Sequence, residues 1–372
     1  ARGRQALIEV VVSSARGLSR TIYLAAPTGR AAKRLGEASG QEARTLHRLL
    51  EFDPKSGRFG RNKNNPLSGD LFIVDEVSMV DLPLMYALMC ALPNGARLVL
   101  VGDADQLPSV GPGRVLHSLI ASGVLPVVVL STIYRQGLMS SIIRCSHEIL
   151  HGEFPSHGKG ESGDFFFIER EEPEAISATV THLVSERIPS SYGFDPLTQV
   201  QVLVPRHKGE LGTRQFNTVL QSALNPSGYP FTAGGMEWRT GDKVMQIKNN
   251  YDLNVFNGDM GIIEQVNSDA KEVTIRYDEQ TLVRPLRDLS EMVPAYAISI
   301  HKSQGSEYPA VVLPMHTQYS IMLQRNLLYT AVTRAKSLVV IVGTRRALNL
   351  AISNNFQTPR NDTLSERLTA LF

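Results

Sequence analysis

The sequence predicts an α/β protein, with parallel sheets flanked by helices and a small antiparallel insert in the C-terminal half. Three observations carry that prediction. Short apolar runs recur along the chain, each ending in small or polar residues, as strands buried on both faces of a parallel sheet do. Stretches of helical periodicity lie between them. From about Gly241 to about Met292 the pattern changes to short alternating strands separated by turn signals such as Asn257-Gly258.

Taken in order, Leu7, Val10, Val11 and Ser14 share one helical face, and Gly17 follows as a stop signal. Strands are expected at Thr21 to Ala26, Leu71 to Val74, Arg97 to Val101 and Val127 to Leu130, which assigns a first domain to residues 1–130. Residues 52–70 interrupt that domain. There Lys55, Arg58, Arg61 and Lys63 surround a Ser56-Gly57 turn, with Phe59 among them, which fits a basic hairpin or a solvated loop. A second domain, 131–372, is expected to hold strands at Gln199 to Val204, Ala310 to Leu313 and Leu338 to Val342, with the insert at about 241–292. Function collects at the carboxyl ends of parallel strands; Asp75, Gly102 and Gly343 sit there.

A length of 372 residues accommodates two ordinary domains, and 42% hydrophobic with 20% charged residues is the composition of a globular protein. Net charge is only +2, so any grip on nucleic acid must come from local clusters of Arg and Lys. Cys90 and Cys145 lie far apart without paired or metal-ligand spacing, as buried thiols in a reducing compartment do. No apolar run approaches the roughly 18 residues that cross a bilayer. A cytoplasmic location is the expectation that follows.

Several segments carry chemistry. Leu71-Phe-Ile-Val-Asp-Glu76 is an apolar strand running into two adjacent carboxylates, and Arg97-Leu-Val-Leu-Val-Gly-Asp-Ala-Asp-Gln106 follows it by one strand-helix unit. Ala26-Pro-Thr-Gly-Arg30 leaves a strand and opens a helix, leaving Thr28, Gly29 and their amides free to meet an anion. His47, in Ala43-Arg-Thr-Leu-His-Arg-Leu-Leu50, has no metal-ligand companion and reads as structural or DNA-facing. Further on come Ile133-Tyr-Arg-Gln136, Ala295-Tyr-Ala-Ile-Ser-Ile-His-Lys-Ser-Gln-Gly-Ser-Glu-Tyr308 and Asn326-Leu-Leu-Tyr-Thr-Ala-Val-Thr-Arg-Ala-Lys336.

In this order, these segments resemble the motifs of superfamily 1 helicases. Gly241-Asp-Lys-Val-Met-Gln246 and its continuation to Asp259 look like the entry to the small β-barrel of RecD-like helicases, superfamily 1B. Val204-Pro-Arg-His-Lys-Gly-Glu-Leu-Gly212 with Asn217 and Gln221 fits the same group. The resemblance covers nearly the whole chain. It implies two RecA-like P-loop NTPase motor domains, the second carrying the β-barrel insert, that clamp ATP and Mg²⁺ and travel 5′ to 3′ on single-stranded DNA.

By the same resemblance, Asp75 would hold Mg²⁺ through water and Glu76 would orient or deprotonate the attacking water. Gln106 would sense the γ-phosphate, and Arg135 and Arg334 would contact it. An arginine in that role speeds phosphoryl transfer by roughly 10³ to 10⁵ in related GTPases. Lys302, Gln304, Gly305 and Glu307 would bind nucleotide. Pro27, Thr28, Gly29, Arg30, His47, His301 and Ser303 would face DNA. The residues themselves, and not the resemblance, make 52–70 the expected strand-separating pin, because that segment interrupts the first domain and is basic with an exposed Phe59. Implied partners are single-stranded DNA, single-strand/duplex junctions and the subunits of a helicase-nuclease, with recombination or repair as the setting.

One motif is not found. The 372 residues contain no Gly-x-x-x-x-Gly-Lys-Ser/Thr, the loop that cradles ATP phosphates. The expectation is a motor core that has lost its N-terminus and is inactive without that loop. The alternative is a non-catalytic single-stranded DNA-binding module.

Overall fold

The computed structural model describes residues 2–17, 20–130, 140–156, 163–250, 252–278, 280–356, 360 and 362–371. The chain divides into two units, Ala1–Thr132 with Thr358–Phe372, and Ile133–Gln357.

The first unit is built on β1 (Ile22–Ala26), β2 (Ala43–Thr45), β5 (Leu71–Val74) and β6 (Arg97–Leu100), all parallel, in the order β2-β1-β5-β6. A two-residue hairpin, β3 (Phe52–Asp53) with β4 (Arg58–Phe59), lies outside this sheet. The strands alternate between two cores. Leu24, Leu71 and Ile73 pack with Ile8, Val12 and Leu35 on one face, while Ala25, Phe72 and Val74 pack with Leu84, Leu88 and Leu116 on the other. Helix Arg2–Gly17 therefore buries Ile8 and Val12, one turn apart, and leaves Leu7 and Val10 exposed. The expected face of Leu7, Val10, Val11 and Ser14 is corrected by rotation. The apolar residues crowd into positions 6–12, where only Glu9 is polar, so several candidate stripes exist there and the sheet selects among them.

Val127–Leu130 was expected as a strand, but no strand forms there, and Val128 is 83% exposed. The run is β-prone, yet a strand requires a neighbour to hydrogen-bond. The C-terminal segment returns to this unit. Arg360 donates to the carbonyls of Ser109, Gly111 and Gly113 at 2.6 to 2.8 Å, and Asp362 accepts from the Arg114 N–H and the Ser118 hydroxyl.

In the second unit, β7 (Phe165–Glu169) and β8 (Val200–Val204) precede a hairpin of β9 (Pro230–Ala233) and β10 (Met236–Arg239). Next come β11 (Lys243–Gln246), β12 (Met260–Asn267), β13 (Glu272–Tyr277), β14 (Thr281–Pro285) and β15 (Met292–Pro294), then β16 (Ala297–Ser299), β17 (Tyr308–Met315) and β18 (Ala335–Gly343). A parallel sheet takes the order β16-β8-β17-β18-β7, and the insert is an antiparallel sheet in the order β14-β13-β12-β11-β15. The insert has its own core around Trp238, Ile263, Ile275 and Leu289. Short β16 and β15 carry too few residues to be legible as strands in the sequence.

Candidate functional site

In the first unit the registers Ala25↔Val74 and Val74↔Leu100 align the carboxyl ends of three strands. Backbone bonds extend the alignment past the strands, from the Asp75 N–H to the Ala25 carbonyl at 2.9 Å and from the Val101 N–H to the Val74 carbonyl at 2.8 Å. Three of the motifs therefore leave one edge of one sheet. After β1, half-buried Pro27 leads to Thr28, which caps helix Gly29–Ser39. Its hydroxyl oxygen accepts from the Ala31 N–H at 3.3 Å, and Arg30 follows in the first turn. This is an anion-ready helix start, with Lys33 exposed one turn on.

After β5, Asp75 Oδ1 accepts the Glu76 N–H at 2.8 Å. Glu76 itself is 4% exposed and sits at φ +53°, ψ +41°. A non-glycine residue in the left-handed region is strained, and such strain collects at functional sites. The turn is tight because Gly102, next to it after β6, approaches closely. A Cβ there would lie 2.7 Å from Leu116 Cδ2 and 3.2 Å from the Val77 and Ser78 nitrogens. Asp103 then accepts from the Asp105 N–H and from Gln106 Nε2 at 3.0 Å, fixing the buried Gln106 side chain. Asp103 was not singled out by the sequence reading, although its Gly-Asp-x-Asp-Gln segment was.

His47 and Phe59 lie elsewhere. His47 stacks edge-on against Phe52 at 5.3 Å, and Phe52 lies 5.0 Å from Phe59. The exposed ring expected at Phe59 is instead half-buried against the core, because the hairpin folds it onto Phe52. The exposed tip is Pro54, Lys55, Ser56 and Gly57. Burial also depresses the pKa of His47 below the usual histidine value. Arg135 lies outside the described residues.

In the second unit β16 ends in a short turn, His301–Ser303, followed by Gly305 at φ +74°. His301 and Lys302 are half-buried, and burial lowers the pKa of both. Ser303 points inward, its hydroxyl donating to the Ile300 carbonyl at 2.7 Å, and Gln304 is buried. Glu307 is largely covered, 4.0 Å from Lys336. Arg334, at 2% exposure, donates from Nε to the Thr330 carbonyl and from Nη1 to the Ser306 carbonyl, both at 3.2 Å. Its side chain thus ties the end of helix Arg325–Val332 to the turn carrying Gln304 and Gly305. Among the described residues no group of three metal-ligating side chains occurs, and no helix is long and apolar enough to cross a membrane.

Known proteins match this arrangement piece by piece. Residues 2–112 match an AAA domain, 216–277 the SH3 domain of ATP-dependent RecD-like DNA helicases, and 294–342 the UvrD-like helicase C-terminal domain. The ATP-dependent RecD2 DNA helicase of Deinococcus radiodurans is 36% identical over 368 residues, which is 99% of this chain and 49% of that protein. RecBCD enzyme subunit RecD of Mycobacterium tuberculosis is 34% identical over 362 residues, 89% of this chain and 62% of that protein. The chain thus spans about half to three fifths of the length of these relatives.

Among solved structures, the Pif1 helicase of Candida albicans has a TM-score of 0.55 at 18% identity, covering 100% of this chain and 93% of its own. A Bacteroides Pif1 helicase, crystallised with ADP-AlF3 and single-stranded DNA, has a TM-score of 0.52 at 19% identity, covering 89% and 84%. These two support the helicase fold. The RecD relatives and the RecD-like SH3 domain make the chain similar to RecD-like DNA helicases over nearly its whole length.

Proposed function

We propose that this chain is the motor core of an ATP-dependent DNA helicase, with two RecA-like domains that move on single-stranded DNA and separate duplex in recombination or repair. The observation that carries this reading is the convergence of Thr28, the Asp75-Glu76 pair and the Gly102-to-Gln106 turn at one sheet edge, with Glu76 buried in a strained conformation.

Asp75 suits a hydrated Mg²⁺. It is a carboxylate at the carboxyl end of β5, with one oxygen taking the Glu76 N–H, and would hold such an ion through water. Bound Mg²⁺ neutralises phosphate charge. Glu76 takes the proton of the attacking water, and Gln106, braced by Asp103, donates to a phosphate oxygen. Arg334 would have to exchange its two carbonyl partners for phosphate oxygens, which couples the Ser306 turn to nucleotide state. Arg135, Lys302, Gly305 and Glu307 are assigned nucleotide contacts. Thr28, Arg30 and the His301 segment are assigned to the DNA backbone. Travel from 5′ to 3′ and assembly with helicase-nuclease subunits are carried over from the family.

The test is ATP hydrolysis with and without single-stranded DNA, on this chain and on a version carrying a phosphate-binding loop. DNA-stimulated turnover in the loop-bearing protein, lost on Glu76→Gln, is the expected result. DNA binding with no turnover in either form would instead identify a non-catalytic binding module.

A further inference from the structure

The loop that follows Gln106 is held by a residue from the far end of the chain. Leu107 is buried, and beyond it the carbonyls of Ser109, Gly111 and Gly113 converge on one guanidinium. Arg360 Nη1 donates to the Gly111 carbonyl at 2.6 Å and the Gly113 carbonyl at 2.8 Å, while Nη2 donates to the Ser109 carbonyl at 2.7 Å. The Ser109 side chain, at 4% exposure, directs its hydroxyl to the same Gly111 and Gly113 carbonyls at 3.2 and 3.4 Å. A loop containing two glycines has little stiffness of its own. The planar, many-donor fork of an arginine supplies it, because one rigid group fixes three backbone positions at once.

The same loop rests against the segment that leaves β5. The Leu82 N–H donates to the Pro112 carbonyl at 3.0 Å, and a Cβ on Gly111 would overlap the Asp81 carboxylate. Asp81 lies five residues beyond Glu76 and caps helix Leu82–Ala91, accepting from the Leu84 N–H at 2.9 Å. One loop therefore joins the Gln106 turn to the segment that carries Asp75 and Glu76, and Arg360 sets its shape.

Arg360 is itself firmly seated. Two residues on, Asp362 accepts from the Arg114 N–H at 2.9 Å and the Ser118 hydroxyl at 2.8 Å, where the loop runs into helix Val115–Ala121. Half-buried Leu364 then packs against the core that holds Leu84 and Leu88, and the Thr369 hydroxyl donates to the Ser122 carbonyl at 3.3 Å. Asp362 and the helix Leu364–Leu371 suffice to attach the C-terminal segment. The Arg360 bonds go elsewhere, to the backbone next to Gln106.

We propose that Arg360 is a positioning residue for Gln106: by fixing the loop from Leu107 to Gly113 it holds the Gln106 amide where a phosphate oxygen meets it. The proposal rests on the motor reading and adds to it a residue that no motif contains. Asp103 orients the Gln106 side chain from the N-terminal side at 3.0 Å, and Arg360 fixes the backbone on the C-terminal side.

The test has two arms. On the chain as it stands, Arg360→Gln is expected to speed amide hydrogen exchange across residues 106–113 by about tenfold or more and to leave the β5 amides unchanged. The second arm is DNA-stimulated ATP hydrolysis by the loop-bearing chain, as a double-mutant cycle of Arg360→Gln with Gln106→Ala. Displacing a reacting group by about 1 Å costs up to roughly a hundredfold, so Arg360→Gln should lower kcat about tenfold or more and leave the KM for ATP within about twofold. In the Gln106→Ala background the same change should cost less than about twofold, because the group being positioned is gone. Arg360→Lys keeps the charge and loses the fork; it repeats the loss in milder form and carries the cycle should Arg360→Gln fail to fold. Leu92→Ala, which trims a half-buried side chain of the same core, lowers Tm and leaves kcat unchanged. Unchanged exchange, an unchanged kcat, or a loss that multiplies undiminished onto that of Gln106→Ala overturns the proposal while the motor reading stands. So does an equal fall in kcat in Leu92→Ala. A loop-bearing chain that turns over no ATP before any substitution overturns both.

Discussion

Gln221 Nε2 donates to Asp242 Oδ2 at 2.7 Å inside the second unit. The bond belongs to a ladder of three amides at four-residue spacing, and so on one helix face: Asn217, Gln221 and Asn225. Asn217 clamps Ala297 of β16, donating to its carbonyl at 2.8 Å and accepting its N–H at 2.9 Å. Gln221 and Asn225 both hold Asp242, which also accepts from the Arg239 N–H and the Tyr296 hydroxyl. A single helix thus locks both the antiparallel insert and the strand that leads to His301.

Replacing Asp242 with Ala strands several buried donors at once. Each costs about 1 to 3 kcal/mol, so Asp242→Ala is expected to lose at least ~3 kcal/mol of stability, read from the midpoint of urea unfolding. A midpoint near that of the unchanged chain would mean that the network is not holding the insert.

Gly102→Ala presses a methyl group against Leu116 Cδ2 and the backbone of Val77 and Ser78. Overpacking of this kind costs about 1 to 3 kcal/mol. Pairing it with Leu116→Val, which shortens the opposing side chain, should cost less than the sum of the two single changes. Strict additivity in thermal melts would disprove the contact.

His47, His117, His207 and His301 all have pKa values below the usual histidine value, with burial the largest cause in each. The unfolded chain takes up their protons first as pH falls through about 6.5. Stability is therefore full above that value and declines below it. His47→Gln should flatten the decline measured between pH 7.5 and 5.5; an unchanged slope would show that this imidazole does not contribute.

Cys145 is fully buried, and burial followed by the nearby Glu148 carboxylate pushes its pKa up to about 12. Because the thiolate is the reactive species, Cys145 in a Cys90→Ser background should label with a thiol reagent at pH 8 only as fast as the protein opens. Immediate labelling of the native protein would contradict the burial.

The sequence made the central strands legible, because runs such as Leu71–Val74 and Val200–Val204 are apolar at nearly every position and lie buried on both faces. It misled at Val127–Leu130, whose composition is as strand-like but which lacks a pairing neighbour among the described residues. The ends of β5 and β6 marked Asp75 and Gln106 directly. What stayed hidden depended on distant partners. The bond from Arg334 to Ser306 spans 28 residues, and those from Arg360 to the carbonyls of Ser109, Gly111 and Gly113 span 247 to 251.

The bare Val127–Leu130 run also has a practical consequence. Three consecutive valines and a leucine, with no interrupting charge or proline, form a short adhesive segment that exposed edges of other molecules can capture. Concentrated preparations of this chain will tend to self-associate through that segment. A lysine at Val128, the most exposed of the four, is the substitution that would keep them dispersed.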